Sequence, residues 1–393
     1  MLSQSPKSLY AVPVNPIDPR TVRQTYFDGT NWIGIEQSDA LIYPLPAGVT
    51  GAPSPVLTNV WNGSFTFTPK FFGTMAFTPN TFPSGLTQGV WRTHDAFVRW
   101  SDIETSQGVY SATNLAYLDY IVNKAQEVGA DVMYTVYKTP AWAAVGGDVN
   151  APPSSAAYLT NFLNFLYARY GTKIKYYEGW NEPNISGSFV GNMAALITHQ
   201  TTIYNAVKAN NASLQVVTPA FALQSGISTD TLNLAAYLAA SGANFGDAIG
   251  YHSYGQDSVL TASNALNGTR LNFSRSVIVN AKAAMTAASV SNPLFDTESG
   301  TSTPNFNRLV EKFVFAAVGG ATMSLAYSWD AIGYPDMRLS QIGVSEWNRA
   351  VAFLSGKTMT AVNSFGNGDF GVVLNGTGSV SYTHLTLPTS DLV

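Results

Sequence analysis

Residues 158–180 read Tyr158-Leu-Thr-Asn-Phe-Leu-Asn-Phe-Leu-Tyr-Ala-Arg-Tyr170, then Gly171-Thr-Lys, then Ile174-Lys-Tyr-Tyr-Glu-Gly-Trp180. The first part places apolar side chains at helical spacing and stops at a glycine. The second is a short run of aromatic and β-branched residues, which favour a pleated strand. A helix that ends on glycine and feeds a short apolar strand is the repeating unit of a parallel sheet covered by helices.

Working outward, the unit recurs. Helical spacing returns over 117–128, ended by Gly129, and over 306–318, ended by Gly319-Gly320. Candidate strands lie at 72–77, 89–95, 131–137, 174–180, 214–218, 247–252, 293–297 and 321–329. Eight strands with helices between them predict an α/β fold, a (β/α)8 TIM barrel, whose usual size of about 250 residues fits this span. An open doubly wound sheet is the competing arrangement.

The barrel is expected over 69–356. Residues 1–68 are rich in Pro, Gly, Thr and Asn, with short segments such as Asn31-Trp-Ile-Gly-Ile, and read as a β-rich or irregular N-terminal extension. After a helix expected at 344–354, residues 357–393 read as a partial, truncated C-terminal β region, with a hairpin strand at Gly371-Val-Val-Leu-Asn-Gly376. Gly366-Asn-Gly-Asp-Phe-Gly371 spells GxGxxG, but no βαβ unit follows, so it reads as turn glycines. Residues 379–393 resemble the translated sequencing-adapter tails that end some metagenomic reading frames, and are expected to be foreign. The alternative is an ordinary final strand.

Composition narrows the chemistry. Charged residues make up 11% of the 393 residues, against about 25% in ordinary soluble domains. The net charge is −4, so no basic surplus exists to neutralise a nucleic-acid backbone. There is no cysteine and only four histidines, without an HExxH pattern. Thiolate chemistry and cysteine metal sites are therefore excluded, and no metal or other cofactor is expected. The longest apolar stretch, 313–329, is split by glycines and is short for a membrane span. The first residues lack the apolar core of a signal peptide. Aromatic content of 12% on a charge-poor chain suits neutral polar ligands such as sugars.

In such barrels the reacting groups sit at the C-terminal ends of the strands. Two strand ends carry a carboxylate in a distinctive setting. The fourth ends Tyr176-Tyr-Glu-Gly-Trp-Asn-Glu182-Pro-Asn, and the seventh ends Pro293-Leu-Phe-Asp-Thr-Glu298-Ser-Gly. Strands four and seven face each other across the mouth, so Glu182 and Glu298 can meet there. Asp296 is a rival for Glu298, two positions earlier and so on the same strand face, but deeper. Glu178 lies four strand positions before Glu182 and is likewise too deep.

Trp-Asn-Glu-Pro on strand four with a glutamate closing strand seven resembles the glycoside hydrolases of clan A. Ala96-Phe-Val-Arg-Trp-Ser-Asp-Ile-Glu-Thr-Ser-Gln-Gly108, Thr139-Pro-Ala-Trp-Ala143 and Tyr177-Glu-Gly-Trp-Asn-Glu-Pro-Asn184 most resemble family 39, which holds β-xylosidases and α-iduronidases. The likeness runs from about residue 71 to 356. It implies a retaining hydrolase of O-glycosidic bonds in oligo- or polysaccharides, with Glu182 as general acid/base and Glu298 as nucleophile. One carboxyl must hold a proton for the leaving oxygen while the other stays ionised to attack.

The resemblance also implies sugar-facing roles. Asn181 matches an asparagine that bonds the sugar 2-OH. His252 and Tyr254, in Gly250-Tyr-His-Ser-Tyr-Gly255, match a strand-six motif in which the tyrosine donates to the nucleophile. Arg92 matches an arginine beneath the nucleophile, with Arg99 as its alternative. His94 and Asp95 are adjacent and could face the same opening. Trp329 matches a platform tryptophan for the cleaved sugar, and Trp142 could extend that wall. Trp100 and Trp180 read as core.

Three alternatives remain at this level: a transglycosylase on the same scaffold, a carbohydrate-binding protein without catalysis, and a structural protein with an enzyme-like barrel. The partner expected is a carbohydrate, and an extracellular or periplasmic location is the expectation. Asn184-Ile-Ser is a sequon, but a glycan two residues from Glu182 would obstruct the cleft.

Overall fold

The structure is a computed structural model. It describes residues 58–78, 83–94, 96–222, 232–254, 280–300, 304–330 and 337–364, with the strands at 22–27, 32–36, 42–44, 370–376 and 379–385. The chain divides into two compact units, one made of Thr68–Ser258 and Phe273–Phe353 and the other of the remaining segments.

The first unit is the barrel. Its strands are Phe72–Thr74, Val90–Arg92, Asp131–Thr135, Ile174–Glu178, Gln215–Val217, Phe221–Ala222, Ile249–His252, Leu294–Ser299 and Ala321–Ala326. All pair in parallel within one sheet. The nine pieces occupy eight positions. Gln215–Val217 pairs with the fourth strand and Phe221–Ala222 with the sixth, so both belong to the fifth. Pro219 lies between them, and proline has no N–H to give a ladder. Val217 also bridges Ala248, and Thr218 N donates to Ala248 O at 3.0 Å. Those contacts close the ring at strands five and six.

Several expected strands run past the observed ladders at their C-terminal ends, whereas the seventh, expected to stop at 297, runs to Ser299. The first, second and eighth stop at Thr74, Arg92 and Ala326. Beyond those points the second and eighth strands keep single backbone bonds, such as Thr93 N to Met133 O and Tyr327 N to Ser299 O, both at 2.9 Å, while the first turns to a side chain. Asp330 accepts from the backbone N–H of Phe77 and Thr78, both at 2.8 Å. Helices differ at the other end. The helix expected from 117 begins at Ala112 because Ser111 caps it, accepting from Asn114 N. The others run Ala156–Tyr170, Phe306–Gly319 and Gly343–Leu354.

Apolar side chains from several strands fill the barrel. Val90, Met133, Val217, Ala248, Met323 and Leu325 form one buried cluster, with Tyr176 and Phe295 packed on it. Outside, Phe313 meets Phe71, Phe72 and Trp347 edge to face, with centroids 5.0 to 6.2 Å apart. Each of these rings is fully buried, and removing such a ring from water contributes about 1.5–3 kcal/mol.

The second unit holds a four-stranded antiparallel sheet in the order Ser379–Leu385, Phe370–Gly376, Thr358–Ser364, Thr58–Thr66. Met359, Val362, Val372 and Leu374 are buried in it. A three-stranded sheet of Val22–Phe27, Trp32–Glu36 and Ile42–Pro44 belongs to the same unit. Ser379–Leu385 pairs with its neighbour along its length, while 386–393 and the turn glycines at 366 and 368 lie outside the described residues.

Among the described residues, no helix is long and apolar enough to cross a membrane. The apolar stretch 313–329 is spent on the end of one barrel helix and on the eighth strand.

Candidate active site

The fourth strand ends its ladder at Glu178, and the chain then runs Gly179-Trp180-Asn181-Glu182. This segment stays tied to strand five, on either side of Pro219. Gly179 N donates to Val217 O at 3.0 Å and Glu182 N to Ala220 O at 2.8 Å. Glycine is required at 179, since a Cβ there would stand 2.1 Å from Gln200 Oε1 and 2.8 Å from Pro219 N. Glu182 itself has φ 44°. A non-glycine residue in that region is held at a cost of order 1–3 kcal/mol, and such strain gathers at functional sites. The expected even count of strand positions from Glu178 to Glu182 is therefore wrong. Glu182 leaves the strand and is aimed by a turn.

Arg92, the last residue of strand two, is fully buried and organises the site. Its Nε donates to Glu178 Oε2 at 2.7 Å, Nη1 to Glu298 Oε2 at 2.6 Å and Nη2 to Asn181 Oδ1 at 2.7 Å. One planar fork thus ties strands two, four and seven. Burial pushes the guanidinium toward losing its proton. The carboxylates of Glu178 and Glu298 outweigh burial and hold it above the ordinary arginine value. Arg99, the alternative, instead caps the short helix Trp100–Ile103 and pairs with Asp102 at 2.7 Å. Asn181 is orientated by the same fork, because Arg92 Nη2 donates to its side-chain carbonyl.

Glu298 lies on strand seven and is 5% exposed. Arg92 occupies one oxygen and the Tyr254 hydroxyl donates to the other. Burial, then the Glu298 charge, push the Tyr254 phenol well up, so it remains a donor. Gly300 matters to this bond, since a Cβ there would sit 3.3 Å from the Tyr254 ring. His94 Nδ1 stands 3.7 Å from the Arg92-bound oxygen. Its ring lies against Tyr137 with centroids 5.0 Å apart. Asp95 lies outside the described residues.

Glu182 has a different partner. His252, the last residue of strand six and fully buried, places Nδ1 2.8 Å from Glu182 Oε1. Burial raises the Glu182 carboxyl, but the hydrogen bond and charge of His252 outweigh it, and the net direction is below the ordinary value. Burial lowers His252, but the charge of Glu298 and the bond to Glu182 win, and the net direction is upward. Ligand atoms of Glu182, His252 and Glu298 all lie within 4.8 Å of one another. That spacing could also meet a cation. Arg92, bound directly to Glu298, already supplies the positive charge there.

Asp296 does not share the surroundings of Glu298. It bonds Lys312 on the following helix, and Ser253, Ser299 and Ser324. The expectation of a common face fails because the strand register shifts between the two residues. Glu178 is deep, as expected, and its role is to pair Arg92 and accept from Thr135 at 2.9 Å.

Trp329 is 5% exposed just past the eighth strand, its backbone N bonded to Met75 O at 2.8 Å. Trp142 is half-buried, donating to Glu104 O at 3.1 Å with its ring edge-on to Tyr158. Trp100 and Trp180 are fully buried. Asn184 is buried too, and its amide both donates to and accepts from the Ala222 backbone, so its nitrogen is not open to a glycan.

Two features escaped the sequence. The pairing of His252 with Glu182 had no signal, since the motif placed the histidine only near the nucleophile. The buried Lys312 could have been found: it is a lone cation among the apolar residues of 309–318.

No family model matches the sequence, and no curated protein matches it. Solved structures do match its fold. A family 39 glycoside hydrolase from the gut symbiont Bacteroides cellulosilyticus superposes with a TM-score of 0.56 at 13% identity, covering 92% of this chain and 77% of that one. The GH39 enzyme from Xanthomonas axonopodis pv. citri gives 0.54 at 15%, covering 84% and 76%. A Paenibacillus polymyxa xyloglucanase of GH family 44 gives 0.56 at 12%, covering 81% and 83%. The (β/α)8 fold of this chain is the fold of those glycoside hydrolases.

Proposed function

We propose that the protein is a retaining clan A glycoside hydrolase, most like family 39, that cleaves O-glycosidic bonds of oligo- or polysaccharides. The observation that carries this reading is the approach of the Glu182 and Glu298 carboxylates to within 4.8 Å. Retaining enzymes hold the pair about 5–5.5 Å apart, whereas inverting enzymes need about 6.5–9.5 Å to admit a water. The neighbours' fold supports the same class.

The roles follow from the partners. Glu298 is bound by a permanently charged arginine on one oxygen and a phenol donor on the other, and it is the carboxylate that attacks the anomeric carbon. As that bond forms, the bond to the leaving oxygen breaks and a proton from Glu182 goes to it. In the free protein this proton is shared with His252 across 2.8 Å. It passes to Glu182 as the leaving oxygen draws it. In the second step Glu182 takes a proton from water, the water oxygen attacks the anomeric carbon, and the ester to Glu298 breaks. With its carbonyl held by Arg92, Asn181 gives its NH2 to the sugar 2-OH in this reading, where a bond strengthens in the transition state. Trp329 and Trp142 are the aromatic surfaces for the sugar faces.

The test is chemical rescue. Glu298→Ala should abolish turnover of aryl glycosides, and azide should restore it with formation of a glycosyl azide of inverted configuration. A folded Glu298→Ala variant with full activity would exclude the assignment.

A further inference from the structure

The seventh strand carries a group that the chemistry above does not use. Asp296 and Lys312 are a buried ion pair, with Nζ and Oδ2 3.3 Å apart and side chains 0% and 6% exposed. Lys312 Nζ donates to Ser324 Oγ at 2.6 Å, and Ser324 Oγ donates to Asp296 Oδ2 at 2.7 Å. Ser253 Oγ reaches the other Asp296 oxygen at 3.3 Å, and Ser299 Oγ donates to Oδ2. One carboxylate therefore gathers a hydroxyl from just past strand six, one from the end of strand seven and one from within strand eight, and a cation from the helix Phe306–Gly319.

The bond from Ser299 is geometrically unusual. In a regular strand, residues three apart point to opposite faces. Ser299 can reach Asp296 only if the strand carries an extra residue between them. The ladders record one. Against strand six, Asp296 pairs with Tyr251 and Glu298 with the very next residue, His252. Against strand eight, Asp296 pairs with Ser324 and Ser299 with Ala326, so three steps on one strand meet two on the other. Glu298 lies within that bulge. Without it, Glu298 would share the face of Asp296 and point at Lys312, not at Arg92. Bulges beside active sites act in this way, by re-aiming one side chain.

We infer that the Asp296–Lys312 pair and Ser299 form a latch that holds the strand-seven bulge and so aims Glu298 at Arg92 and Tyr254. Asp296, Lys312 and Ser299 are positioning residues. They act through Glu298. The Ser253 contact extends the latch to strand six, because Ser253 lies between His252 and Tyr254, which bond Glu182 and Glu298. The charge on Asp296 suits the task. A buried carboxylate needs several donors, and meeting that need fixes four elements relative to each other.

This inference rests on the catalytic reading of Glu298, and the test separates the two. S299A removes the latch bond without leaving a buried charge unpaired, and D296N weakens the whole cluster. F313L, a packing change beside Lys312, is the control. Two quantities are measured: kcat and KM on aryl glycosides, and the titration midpoint of the His252 ring by NMR. The Glu298 charge raises that midpoint, so it reports whether Glu298 still faces inward, with no substrate present. S299A should stay folded, lose about tenfold to a hundredfold in kcat with KM within about twofold, and lower the His252 midpoint. D296N should do the same or more. F313L should lower the melting temperature and leave both the midpoint and kcat in place. If S299A and D296N lower only the melting temperature, the latch is overturned while the catalytic reading stands. If the wild type cleaves no glycoside, the catalytic reading fails, and the His252 midpoint still decides the latch.

Discussion

Glu182 and Glu298 are the same side chain within 4.8 Å of each other, yet the protein surrounds them differently. Glu298 has a fixed partner. Arg92 is charged at every accessible pH, and Tyr254 can only donate there. Glu182 has a titratable partner in His252, at the end of a turn with φ 44°. A carboxylate beside a fixed charge has no proton to trade with its partner, whereas one beside an imidazole can exchange one. In the proposed function, this asymmetry of partners, more than the identity of the residues, is what separates nucleophile from acid/base.

The largest way to break the comparison is Arg92→Met. It removes the fixed charge from Glu298 and leaves Glu178 buried with Thr135 alone. Removing one member of a buried pair costs about 3–5 kcal/mol. Denaturant unfolding should register a loss of that order, and kcat/KM should fall by roughly a thousandfold or more. A variant with near-normal stability and rate would show that the two carboxylates do not depend on different partners.

A smaller effect is expected on the other side. His252→Gln keeps a hydrogen-bonding side chain but removes the proton store. Rates should fall about tenfold to a hundredfold for glycosides with poor leaving groups, which need the acid, and little for good ones. The pair also predicts a stability window. Glu182 lies below its reference value of 4.5, so its contribution is present above that pH and is lost as pH falls through the folded value. His252 lies above 6.5, so its contribution is complete below that pH and is lost as pH rises through the folded value. The stability difference between wild type and His252→Gln should be greatest between those limits. A difference that is flat across pH would remove the proton-sharing account.

The smallest effect sharpens the comparison from behind the fourth strand. His199 is fully buried against Trp180, with ring centroids 5.3 Å apart, and burial pushes it down to about 3. It is therefore neutral where His252 is charged. Its folded value lies below the unfolded 6.5, so wild type loses stability as pH falls beneath 6.5. His199→Leu should escape that loss, which approaches about 1.4 kcal/mol per pH unit midway between the folded and unfolded values. Parallel pH–stability curves would mean that the acid lability arises elsewhere.

The sequence made the scaffold legible for a plain reason. Helical spacing ended by glycine, followed by short apolar runs, is a periodic signal, and barrel closure follows from counting it. Both glutamates were legible because carboxylates are scarce in this chain and these two stand at strand ends. What period alone misses is where the period breaks. Pro219 splits strand five, a turn carries Glu182 off strand four, and a bulge turns Glu298 away from the face of Asp296. Contacts between distant elements are equally invisible. Nothing local to Lys312 or His252 announces Asp296 or Glu182 as the partner.

The most direct measurement of the central claim is the mass of a trapped intermediate. The protein is incubated with a panel of 2-deoxy-2-fluoro-β-glycosyl fluorides, digested, and the modified residue located by tandem mass spectrometry. The account predicts a single glycosyl ester on Glu298, in the segment Pro293-Leu-Phe-Asp-Thr-Glu-Ser-Gly300. A label on Glu182 or Asp296, or hydrolysis that yields the inverted anomer with no adduct, would contradict it.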